Sequence, residues 1–301
     1  MKKLLLFGAI LIGSNLMAQT PGGGVTDSEG NSYETVIIGN QEWMAENLKT
    51  LPAVIGSGTN SSTDPYYYVY DYQFTDPAEA KLTSNFTTYG VLYNWTAVMG
   101  GEASSDANPS GIQGICPTGW HVPSDSEWIE LEEFLGMCSG TAVGCSESFG
   151  DRGTDEGKKL KSETGWNNGD DPTNNSSGFS ALPGGQNEGW TAYFWQLGSG
   201  GNFWTSTEFS SNYAVMRRLG DVNSTVLRGE VGQPGSTKST GKSCRCVKDL
   251  SGVGLIELND TPKTLVKIVD LMGRETEFRP NAVLIYIYDD GSTERLMKIE
   301  E

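Results

Sequence analysis

The chain has 301 residues, 21 basic against 38 acidic side chains, and a net charge of −17. That balance argues against nucleic acid as a partner, because phosphate binding needs a basic face; its plain consequence is solubility. With 39 glycines, 12 tyrosines and 8 tryptophans, the composition suits a loop-heavy extracellular fold better than a helical bundle.

In chain order, Lys2 and Lys3 are followed by an apolar run from Leu4 to Met17 and by the small residue Ala18. This is the pattern of a secretory signal peptide over residues 1–18. The run is shorter than the ~20 residues that span a bilayer. No cysteine follows it to carry a lipid, so the exported chain is expected to be soluble. Residues 19–24 read as a linker, and a main domain is expected over residues 25–249. It opens with the β-rich run YETVIIGNQEWMAENL, followed by irregular chain around PYYYVYDY. Alternation there places Tyr66, Tyr68, Tyr70 and Tyr72 on one strand face and Tyr67 and Val69 on the other. So polar a neighbourhood predicts that some of these rings are exposed.

NFTTYGVLYNWTAVM reads as strand then helix. The best-signalled helix runs over Ser124–Gly136. Ser124 with Glu127 forms a capping box, Asp125 suits the positive helix start, and Trp128, Leu131 and Leu135 make an apolar stripe. Residues 138–189 read as mostly loop. The runs WTAYFWQL, GNFWTSTE, YAVMRRL and STVLRG then read as strands joined by turns, and SCRCVKD as a closing strand. Residues 250–262 look like a second linker. Residues 263–301 read as a small β-domain of three strands with a hairpin turn at Asp290-Gly291.

Five cysteines in an exported chain suggest disulfides. Cys138 and Cys145 flank a short Gly-rich loop that can close locally. Cys116 precedes a tryptophan-rich run, and Cys244 and Cys246 sit together near the domain's end. An odd count leaves one thiol over. No C-x-x-C is present and a single histidine cannot complete a Cys/His set, which argues against zinc.

That histidine, His121, lies in GICPTGWHVPSDSEW among a cysteine, two acids and two serines. A catalytic base would need an orienting partner and a nucleophile. Capping already accounts for Ser124 and Glu127, and no G-x-S-x-G elbow exists. A structural, hydrogen-bonded role is therefore expected for His121. Adjacent acids such as Asp170 and Asp171 sit in the Gly/Asn-rich stretch from Trp166 to Gly178. Its many oxygen ligands would suit Ca²⁺, but it lacks regular D-x-D-x-D-G spacing, and a polar loop is the simpler reading. The remaining signal is aromatic: Trp190, Tyr193, Trp195, Phe203 and Trp204 cluster between glycines. Such rings pack cores or, when exposed, stack on a ligand.

Two resemblances cover most of the chain. KIVDLMGRE (267–275) and AVLIYIYDDGSTERLMKI (282–299) resemble the C-terminal sorting domain of type IX secretion. That resemblance implies passage across an outer membrane and attachment to, or release from, the cell surface. IGNQEWMAENLKT, YGVLYNWTAVM, GICPTGWHVPSDSEW, GFSALPGG, NFWTSTE and SCRCVKD, in this order, resemble the FISUMP domain, the Fibrobacter succinogenes major paralogous domain. In that family a single cysteine precedes Val-Lys-Asp, here Cys246. The resemblance thus implies a Cys116–Cys246 disulfide, a local Cys138–Cys145 pair and an unpaired Cys244. More distantly, GWHVPSDSEW is similar to a run in formylglycine-generating enzymes, which implies an α+β, C-type-lectin-like fold. Their catalytic cysteines are separated by several residues, whereas Cys244 and Cys246 are one apart, so the likeness carries fold more than function.

The expected protein is thus a secreted or surface-displayed, non-enzymatic binding module for a glycan or protein. It has no catalytic residue, cofactor or metal, and its export runs through its tail. The ligand-binding candidates are Tyr66, Tyr68, Tyr70, Trp166, Asp170, Asp171, Trp190 and Trp195. The alternatives are an extracellular enzyme related to formylglycine-generating enzymes and a structural surface protein.

Overall fold

The computed structural model describes residues 19–138, 148–167, 174–189, 193–230 and 232–250, and in the tail 265–270, 274–277, 279, 283–288 and 293–297. The chain divides after Leu250 into two compact units.

The first unit opens with β1 (Thr20–Pro21), the small ladder of β2 (Val25–Thr26) with β3 (Ser32–Tyr33), and the hairpin of β4 (Thr35–Ile38) with β5 (Gln41–Met44). A two-residue turn, Gly39-Asn40, joins the hairpin; Gly39 takes a φ of 62°, which a glycine adopts without strain. Residues 19–24, expected as a linker, instead place β1 antiparallel to β4. Next come β6 (Tyr67–Tyr68), α1 (Pro77–Ala80), α2 (Ser84–Tyr89), β7 (Leu92–Tyr93) and α3 (Trp95–Met99). Each of these helices has a side-chain N-cap, from Asp76, Thr83 and Asn94 in turn. The expected strand-then-helix over NFTTYGVLYNWTAVM is therefore helix, strand, helix, because Thr83 starts an extra turn and Gly90 ends it.

The main helix, α4 (Asp125–Phe134), has the full capping box between Ser124 and Glu127. Residues 138–189 hold more order than expected: β8 (Gly150–Arg152), α5 (Glu156–Leu160) and β9 (Gly184–Asn187). None of them shows an apolar alternation, so their signal is tertiary. Then follow β10 (Phe194–Leu197), β11 (Gly200–Ser210), β12 (Tyr213–Gly220), β13 (Val226–Arg228), β14 (Ser236–Thr237) and the closing β15 (Val247–Asp249).

The strands form two larger sheets. One has the order β1-β4-β5-β15, so the last strand of the unit lies against one of the first. The other has the order β10-β9-β11-β12-β13-β8, with β14 also on β12. All its pairings are antiparallel except β11 with β9. The described residues are thus mostly β, with a few short helices. In the second unit β16 (Leu265–Val269), β17 (Val283–Tyr288) and β18 (Thr293–Met297) form an antiparallel three-stranded sheet. The turn expected at Asp290-Gly291 lies outside the described residues, as do residues 1–18.

The first unit has two main apolar clusters. One gathers Trp43, Trp128, Phe179 and Phe203, whose rings meet at centroid distances of 5.1–6.1 Å. Such aromatic pairs add about 0.5–1.5 kcal/mol each beyond their buried area. The helix stripe Trp128, Leu131 and Leu135 belongs to this cluster. The other cluster surrounds Cys116, Cys244 and Cys246 with Met44, Tyr93, Trp95 and Trp204. No helix of the described residues is long and apolar enough to cross a membrane.

Candidate functional site

The GICPTGWHVPSDSEW stretch is mostly interior. Cys116 is bonded to Cys246, with Cα atoms 5.8 Å apart. His121 pairs its backbone with Val247 in both directions, at 2.9 and 3.0 Å. Its Nε2 lies 2.5 Å from Glu127 Oε1. The other Glu127 oxygen accepts from the backbone N–H groups of Ser124 at 2.8 Å and Ser110 at 3.2 Å. His121 is therefore hydrogen-bonded between turn and helix, as expected.

Two groups among the described residues bring three metal-ligand atoms within 4.8 Å of one another: His121, Glu127 and Asp249, and Cys116, Cys244 and Cys246. In the first, the Glu127 carboxylate is already engaged by three hydrogen-bond partners, His121, Ser124 and Ser110. In the second, two sulfurs are tied in the disulfide. The third, Cys244, is a free, buried thiol that desolvation pushes up to about 12, which keeps it protonated and a poor nucleophile. Cys138 is also disulfide-bonded; its expected partner Cys145 lies outside the described residues.

The aromatic candidates divide sharply. Tyr68 has no exposed surface, and its hydroxyl donates to Thr59 O at 2.9 Å. It cannot offer a ring to a ligand, which corrects the expectation that Tyr68 is a ligand contact. The cause is length: β6 is only two residues long, so the alternation assumed across PYYYVYDY does not extend. Tyr66 and Tyr70 are half-buried against Tyr68, Leu92 and Phe194. Trp166 is also half-buried; its Nε1 donates to Ser162 Oγ at 3.3 Å, and Lys161 Nζ lies 5.2 Å from its ring. Asp170, Asp171 and Trp190 lie outside the described residues. Among the described candidates, Trp195 alone carries an open ring, with 51% of its surface exposed, beside Tyr193 at 50%.

The register of β10 explains that exposure. Trp195 pairs with Gln186 on β9, and the neighbouring Phe194 points the other way, into the cluster with Tyr68 and Tyr70. The next residue, Gln196, has a left-handed φ of 65°. That conformation is uncommon for a residue with a Cβ, and such outliers concentrate at functional sites. Here it brings the Gln196 amide to 3.0 Å from the Asn202 amide and to 3.1–3.3 Å from Arg218 and Trp195 Nε1.

These residues line a cavity of about 210 Å³ whose walls are Gln186, Glu188, Trp195, Gln196, Asn202, Met216, Arg218, Leu227 and Glu230. Behind it the buried Lys242 donates to Gln186 Oε1 at 2.5 Å and to Glu230 Oε1 at 3.3 Å. Gln186 Nε2 in turn donates to Glu188 Oε1 at 2.7 Å. Burial would raise the Glu230 carboxyl, but Lys242 and its other donors outweigh this and hold it below its ordinary value. The site is thus a half-open polar pocket with fixed amides and charges under an exposed indole. Sequence reasoning reached Trp195 and missed the polar walls. They come from four strands and two loops, and no local motif joins them.

Residues 36–248 match the profile of the Fibrobacter succinogenes major domain family. No curated protein and no solved structure matches the chain.

Proposed function

Since the chain belongs to the Fibrobacter succinogenes major domain family, we propose that its first unit is a non-enzymatic glycan-binding module displayed on, or released from, the cell surface. The observation that carries this reading is the half-exposed Trp195 standing over a polar cavity. An exposed indole presents a flat ring face, and such a face suits the C–H face of a sugar. The fold we assign is a C-type-lectin-like variant. Residues 1–18 act as a signal peptide and residues 263–301 as a type IX sorting domain; the three antiparallel strands at 265–269, 283–288 and 293–297 support the latter. Among the described residues the free thiol is Cys244, and its protonated, fully buried state speaks against an enzyme working through it.

A glycan array probed with the wild-type protein and with Trp195→Ala tests the binding reading. Loss of signal in the folded variant is expected; an unchanged array would remove the assignment. Deleting residues 263–301 should leave the protein behind the outer membrane, and its arrival at the surface would rule out the sorting role.

A further inference from the structure

We infer that the cavity beneath Trp195 takes one neutral sugar ring, so that the module reads the ends or branches of a glycan rather than the run of its chain. This rests on the glycan-binding reading above. Three features of the cavity lead there.

The first is size. About 210 Å³ lies below the ~300–1,000 Å³ of pockets that enclose drug-sized ligands. The space suits a single ring with its hydroxyls. The platform is equally small. The Tyr193 and Trp195 rings meet at 6.5 Å with an interplanar angle of 62°. They form an edge-to-face pair, so they cannot make the flat strip on which successive sugar rings would stack.

The second is the kind of polar group. Gln186, Gln196 and Asn202 are planar amides, each with a donor and an acceptor side. Neighbouring hydroxyls on a sugar ring also donate and accept, and amides at fixed positions can meet both. Lys242, Arg218 and the left-handed backbone at Gln196 hold these amides in place, which lowers the cost of ordering them on binding.

The third is charge. Glu188 and Glu230 face the cavity together with Arg218, and Lys242 backs it. The charges balance, so the cavity offers no uncompensated cation to the carboxylate of an acidic sugar. A neutral ring needs none.

The test uses the full chain, titrated with neutral hexoses and pentoses, the corresponding uronic acids, and neutral polysaccharides, following tryptophan emission and heat. A neutral monosaccharide is expected to displace polysaccharide, and the corresponding uronic acid to bind at least about tenfold more weakly. Trp195→Ala and Glu188→Ala, with unchanged thermal midpoints, are each expected to weaken the sugar by about tenfold or more, a factor equal to about 1.4 kcal/mol. The competition needs no variant, so it decides even if one of them fails to fold. Polysaccharide binding that depends on Trp195 but is displaced by no monosaccharide would overturn the single-ring inference and leave the glycan reading standing. Equal or tighter binding of uronic acids would overturn it as well. No binding of any glycan by the folded wild-type protein would remove both.

Discussion

At the scale of single residues, the interior is held by charge as much as by apolar contact. Asp125 and Glu132 lie seven positions apart, hence on one face of α4, and both are buried. Arg217 from β12 reaches both: Nη1 is 2.5 Å from Asp125 and Nε is 2.6 Å from Glu132. Arg152 from β8 adds a 2.5 Å bond to Glu132, and Arg228 from β13 pairs with Asp125. Removing one partner of such a set strands a charge away from water. Arg217→Met should therefore cost about 3–5 kcal/mol, read as a lower urea midpoint at neutral pH; an unchanged midpoint would show that the network contributes nothing net.

The same network sets an acid limit. Burial alone would raise the Asp125 carboxyl, but Arg217 and Arg228 outweigh it and hold it below its ordinary value. Asp27 is also lowered, its burial outweighed by bonds from Asn31, Tyr33 and Thr50. A carboxyl lowered on folding stabilises the fold fully above its unfolded value of ~3.9 and loses that contribution as pH falls toward the folded value. Asp249 has the opposite sign, because burial and Glu127 raise it; the fold loses stability as that group ionises on raising the pH. Urea midpoints should thus drop below about pH 4, and Asp125→Asn should make that drop shallower. None of this was legible in YAVMRRL or STVLRG, where an arginine on a strand reads as solvent-facing until its carboxylate is placed.

At the scale of elements, helix starts were the most readable feature. SDSE announces α4, and the capping box is formed as expected. Ser124→Ala should destabilise by about 1 kcal/mol, a small shift in thermal midpoint. A loss several times larger would mean that Ser124 does more than cap. His121 was legible too, because the cap had already claimed Glu127, and that same carboxylate turned out to be its partner. Short strands were the least readable. PYYYVYDY has the composition of a strand, but only Tyr67 and Tyr68 pair, with β7, so its apparent face does not exist. The cavity walls were invisible for a different reason. Gln186, Asn202 and Glu230 are ordinary polar residues in sequence, and only the ladder of β10, β9, β11 and β12 brings them under Trp195.

At the scale of the whole molecule, the first unit is tied by a bond spanning 130 positions of sequence. In the chain-entropy account, closing a loop of that length stabilises by about 5 kcal/mol. Replacing Cys116 and Cys246 together by Ala should lower stability by about 2–5 kcal/mol. Cys244→Ser should leave the disulfide intact by mass mapping, and native Cys244 should resist alkylation at pH 8; rapid labelling would contradict its burial. The placement of β15 beside β5 also governs when the fold can form. A chain made from its N-terminus presents β4 and β5 early, yet Trp43 waits for Val247 and Gln41 for Asp249. The order of synthesis is thus opposed to the order of closure. The first sheet keeps an unpaired edge on β5 until the last residues of the unit arrive, and until then that edge is open to pairing with another chain.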